Sequence, residues 1–92
     1  MRIYPEKSFL RAFKKLAHLD QTEVDAAIAR LPGAVGQPHE HRGTSVRRLK
    51  PGIFELRAGL RLRVVFTLSK DVAILWTVGD HDHVQAWLRN VK

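Results

Sequence analysis

From Leu60 to Leu68 every second residue is large and apolar: Leu60, Leu62, Val64, Phe66 and Leu68. Arg61, Arg63, Val65 and Thr67 fill the positions between them. A period of two is the mark of a half-buried strand, and it fixes where each side chain goes. If the leucine side packs on a core, Arg61 and Arg63 point to the opposite, open face. Ser69–Lys70–Asp71 reads as a turn, and the apolar run Val72–Val78 as a central strand. Upstream, Ile53–Arg57 is a third strand, with Phe54 and Leu56 on one side and Glu55 and Arg57 on the other. The strands therefore predict one polar surface shared by Glu55, Arg57, Arg61 and Arg63.

The N-terminal half changes period. Met1–Tyr4 alternates as a short strand, and Pro5 and Ser8 open a helix with Phe9, Leu10, Phe13, Leu16 and Ala17 at helical spacing. Leu19–Asp20–Gln21 breaks that pattern. Asp20 or Thr22 caps a second helix carrying Val24, Ala27, Ile28 and Leu31, which Pro32–Gly33 ends. The turn between them is short enough for an antiparallel hairpin. Ala34–Gly43 reads as a loop, and Val84, Trp87, Leu88 and Val91 as a last short helix. The expectation is an α+β fold in two layers. An N-terminal strand and a helical hairpin pack on a mostly antiparallel sheet, in the order β-α-α-β-β-β-α. Residues 1–92 form a single domain, because the chain leaves no room for a second.

Charge is distributed unevenly. The 16 Lys and Arg against 9 Asp and Glu give +7. Residues 1–40 are nearly balanced, with six basic and five acidic groups, whereas residues 41–92 carry ten basic and four acidic. Arginine dominates, which favours bidentate contact with phosphate or carboxylate. A polyanion is the expected partner, either nucleic acid or an acidic protein. With no cysteine in the chain, disulfides and thiol chemistry are excluded. No apolar run approaches the ~18–20 residues of a membrane span. The first residues lack the apolar stretch of a signal peptide. These features together point to the cytoplasm.

The arginines with one carboxylate suit a bent phosphodiester, because guanidinium groups neutralise charge growing on its nonbridging oxygens. Gly79–Asp80–His81–Asp82–His83 directly follows the last strand. An imidazole there is placed to act as general acid or base. His81 could protonate a 5′-oxygen leaving group, or the segment could simply be a turn in which Asp82 caps the last helix. His39–Glu40–His41 and His81–Asp82–His83 are two triplets of metal-ligand type, but adjacent residues do not share a helix face and no HExxH is present, so no metal is expected. No glycine-rich phosphate loop is visible, and no cofactor is expected. Trp87 is suited to stacking on a base or to packing the helix, while Trp76 reads as core.

The runs Gly52-Ile-Phe-Glu-Leu-Arg57, Leu62-Arg-Val-Val-Phe66 and Ile74-Leu-Trp-Thr-Val-Gly-Asp-His-Asp82 resemble the RelE/ParE toxin superfamily in order and spacing. The resemblance implies the toxin of a type II toxin–antitoxin pair that cuts ribosome-bound mRNA without metal and is checked by an acidic antitoxin. Arg63 matches the strand arginine that stabilises phosphate charge, and His81 the polar position after the last strand. The catalytic lysines of RelE have no counterpart, since Ile53 and Glu55 stand there. The implied catalytic set is Arg63, His81 and Glu55, with Arg47, Arg48, Arg57, Arg61, His83 and Trp87 along the RNA. Glu55 either acts as base or pairs with Arg57 or Arg63. Gln85 stands where one branch carries a tyrosine. The alternatives are a ParE-like inhibitor of DNA gyrase and a catalytically silent RNA-binding module.

Overall fold

The computed structural model describes residues 1–36 and 46–91. It has β1 (Arg2–Pro5), α1 (Lys7–Lys14), α2 (His18–Gly36), β2 (Val46–Lys50), β3 (Ile53–Ala58), β4 (Leu62–Ser69), β5 (Val72–Gly79) and α3 (His81–Arg89). The α+β architecture is the expected one, with one more strand. Val46–Lys50 pairs antiparallel with β3 and forms an edge of the five-stranded sheet β1-β5-β4-β3-β2. Only β1, on the other edge, runs parallel to its neighbour.

Alternation in β3 and β4 does what the pattern requires. Leu56, Val64 and Phe66 turn to one face and are buried with Leu75, under Phe9 of α1 and Val24, Ala27 and Leu31 of α2. Each fully buried Val, Leu or Phe side chain contributes about 1.5–3 kcal/mol. Phe54 stacks on Phe66 across the strands at 5.6 Å between centroids. Helix α1 lies over β5, and α2 over β3 and β4. The opposite face is not bare. Val84 and Leu88 of α3 cover Val65, and Leu49, Ile53 and Trp87 pack around them.

The helix ends differ from the sequence reading. Ser8 lies inside α1, where its Oγ donates to the Trp76 carbonyl at 2.6 Å. Helix α2 begins at His18, and Thr22 donates back to the His18 carbonyl instead of capping. The helix also runs through Pro32 to Gly36. Proline at that position forfeits one backbone hydrogen bond and normally ends a helix, so tertiary packing of Leu31, fully buried one residue earlier, overrides the local signal. The rest of the expected 34–43 loop, with the His39–Glu40–His41 triplet, lies outside the described residues. Among the described residues no helix is long and apolar enough to cross a membrane.

One irregularity matters for the site. In β5 the alternation Ala73, Leu75 would aim Thr77 into the core. Instead Phe66 pairs with Leu75 and Val65 with Thr77, leaving Trp76 as an extra residue. Such a bulge inverts the pattern beyond it. Val78 now reaches the core opposite Val64, and Thr77 and Gly79 turn toward α3.

Candidate active site

Two rows of residues cross the α3 face of the sheet. Arg47, Glu55, Val65 and Thr77 form one, and Arg57, Arg63 and Gly79 the other, each set by strand register. Glu55 and Arg63 are diagonal neighbours. The Glu55 Oε2 lies 3.6 Å from Arg63 Nε and 3.3 Å from an Arg47 terminal nitrogen. Glu55 is buried, with a side chain 7% exposed, while Arg47 is 66% exposed. A buried carboxylate is tolerated only with such partners.

Arg63 is the unusual group. Its side chain is 16% exposed, and it stands opposite Arg57, a like charge. Its Nε and Nη1 atoms are buried and make no hydrogen bond. Buried donors without a hydrogen bond are costly, and the Glu55 carboxylate 3.6 Å from Nε offsets that cost only in part. The chemistry they invite is a pair of anionic oxygens.

Gly79 provides the second element. A side chain there would run into the His83 ring, so the missing Cβ is what seats the imidazole. His83 Nε2 lies 2.7 Å from the Thr77 hydroxyl. Asp80 Oδ1 accepts from the His83 backbone N–H at 2.9 Å and caps α3, a role that one of the two readings of the segment assigns to Asp82. Gly79 is the register partner of Arg63, so the His83 ring sits over the strand position next to Arg63.

The predicted site residues therefore separate. Glu55, Arg57, Arg63 and Arg47 share the face, and His83 is fixed against it. Arg63 is not substantially exposed as the alternation implied: its side chain is 16% exposed, with the Glu55 carboxylate 3.6 Å from Nε. Arg61 does not join the face. Strand β4 starts at Leu62, which leaves Leu60 96% exposed in the turn and Arg61 3.2 Å from Asp20 of α2. Arg48 also leaves, since it pairs with Phe54 and projects to the α1–α2 side of the edge strand. His81 is exposed at the first position of α3. Trp87 packs half-buried against Val65, Val84 and Leu88. Trp76 is half-buried and donates to Thr67 Oγ1 at 2.8 Å. Thr77 escaped the sequence reading; the one polar side chain in Val72–Val78 was its only signal. Among the described residues no three His, Asp or Glu side chains converge on a metal-sized site.

No protein-family model and no curated protein matches the sequence. Solved structures do. A copper-bound mutant toxin from Helicobacter pylori superposes with a TM-score of 0.71 at 21% identity, over 91% of this chain and 98% of that one. YafQ from E. coli gives 0.69 at 13% identity, covering 91% and 98%. The toxin–antitoxin complex RelB–RelE from Methanococcus jannaschii gives 0.68 at 12%, covering 91% and 96%. The fold is that of the RelE-type toxins.

Proposed function

We propose that this chain is the toxin of a type II toxin–antitoxin pair, an endoribonuclease that cuts ribosome-bound mRNA in the cytoplasm. The observation that carries the reading is Arg63, a mostly buried guanidinium opposite Arg57 whose Nε and Nη1 make no hydrogen bond and whose one ion pair, to Glu55, is 3.6 Å long. The fold shared with proteins described as toxins supports it.

In this scheme a scissile phosphate lays its nonbridging oxygens on Arg63. The 2′-oxygen attacks the adjacent phosphorus, the bond to the 5′-oxygen breaks, and a cyclic phosphate and a 5′-hydroxyl result. Arg63 stabilises charge that grows in the transition state. His83 donates the proton to the 5′-oxygen, and the proton of the 2′-hydroxyl passes to solvent water, since His81, two residues earlier on α3, lies on the other side of the helix. Sequence matching gives the acid role to His81; the seat on Gly79 favours His83. Glu55 orients Arg63, and its burial between two guanidinium groups argues against a role as free base. The excess of positive charge suits a small acidic antitoxin that orders on contact, with association weakening as salt rises.

Induced expression tests this directly. Mapped mRNA 5′ ends should show new, ribosome-protected cuts, and gyrase supercoiling in the same extracts should be unchanged. Lost supercoiling with intact mRNA would favour the ParE-like reading. Growth arrest with neither effect would leave only the RNA-binding module. Copurification from the native host should recover a small acidic protein.

A further inference from the structure

Around the corner from Arg63, α1 and the end of β5 enclose a second cationic surface. Edge strand β1 covers β5 only from Val72 to Leu75. Beyond that point α1 flanks β5, held by the bond from Ser8 to the Trp76 carbonyl. The open cleft between them has a volume of about 490 Å³. Ser8, Arg11 and Lys15 line one wall, and Thr77, Gly79 and His83 the other.

The cleft is lined by three cations, Arg11, Lys15 and Arg61, and two carboxylates, Asp20 and Asp80. Arg11 of α1 and Lys15, the residue that ends it, stand four residues apart, a rise of about 6 Å, and α1 contains no acid. Of the carboxylates at the rim, Asp20 is engaged by Arg61 and Asp80 caps α3. Like charges one turn apart repel each other, and among the described residues neither is held in an ion pair. A bound polyanion would relieve the repulsion.

The cleft is also continuous with the candidate active site. Gly79 pairs with Arg63 on the sheet face and, with His83, lines the cleft. A strand laid on Arg63 and continued past Gly79 and His83 would enter this cleft.

We propose that this cleft binds the phosphodiester backbone of single-stranded RNA beside the scissile nucleotide, with Arg11 and Lys15 as phosphate ligands. The inference rests on the reading that the Arg63 face takes RNA. An acidic protein segment could satisfy the same charges, but continuity with the Arg63 face favours the nucleic acid.

The test is fluorescence anisotropy with the full chain and 2′-O-methyl RNA of about 4 and about 12 nucleotides. The double variant Arg11→Gln/Lys15→Gln should weaken the longer RNA by roughly tenfold and lower the salt slope by about 1.4, the value for two phosphate contacts on a single strand. It should leave the short RNA unchanged. Arg57→Gln should weaken both lengths. Arg30→Gln/Lys70→Gln, which removes two exposed charges elsewhere, should change neither. If Arg57→Gln weakens binding but the α1 variant matches wild type on both lengths, the cleft proposal is overturned and the RNA reading stands. If wild type binds neither length, both fall. An α1 variant that keeps RNA but loses a poly-glutamate peptide would assign the cleft to a protein partner and overturn the proposal.

Discussion

The two faces of the sheet are made from alternate residues of the same strands, and they are organised in opposite ways. Leu56, Val64 and Phe66 form a dry, close-packed surface against α1 and α2. One residue away along the same strands, Glu55, Arg57 and Arg63 meet as charges, and α3 covers only the neighbouring Val65. The first face is satisfied within the chain. The second keeps two guanidinium donors of Arg63 without a hydrogen bond. The difference teaches a division of labour: the dry face holds the strand register rigid, and that register presets the geometry of the charged face.

Truncation on the dry face should have the largest effect. Phe66→Ala removes a ring with no exposed surface and should cost about 3–5 kcal/mol in urea unfolding. Both faces should be lost together. Glu55→Ala should cost less, about 1–3 kcal/mol, because it strips the carboxylate from a mostly buried Arg63. Here cleavage should fall while the circular dichroism of the folded state is retained. Gly79→Ala separates the faces further. Its methyl group would meet both the ring and the Cβ of His83, so the first turn of α3 must shift along with the imidazole, and thermal stability should fall modestly without loss of folding. Cleavage should drop by roughly tenfold as His83 leaves its seat. A full loss of folding in Gly79→Ala would show that the seat is structural. Lys70→Gly provides the small-effect control. Lys70 has φ of 56° in the β4–β5 turn, away from both faces, and its replacement should raise stability by about 0.5 kcal/mol without touching cleavage.

The dry face was legible in the sequence because a strand's period of two leaves little choice. Leu62, Val64, Phe66 and the Val24–Leu31 stripe reached the core as their spacing required. The charged face was legible only in part. Alternation placed Glu55, Arg57 and Arg63 together, but it cannot tell where a strand begins. Extending β4 back to Leu60 put Arg61 on the wrong side of a turn. Arg48 required the edge strand β2, whose basic run Val46–Lys50 gave no apolar period to read. Thr77 and His83 required the bulge at Trp76. In a run as uniformly apolar as Val72–Val78, no alternation exists to reveal that one residue has been inserted.

Single-turnover cleavage of ribosome-bound mRNA by wild type, Arg63→Ala and His83→Ala tests the central claim most directly, with melting temperatures matched beforehand. A guanidinium aimed at the scissile phosphate should be worth about 10²–10³ in rate, by analogy with one oxyanion donor. The imidazole should contribute about 10²–10⁴. The account predicts folded variants that bind the ribosome and leave mRNA essentially uncut. Wild-type cleavage rates in a folded Arg63→Ala protein would contradict it.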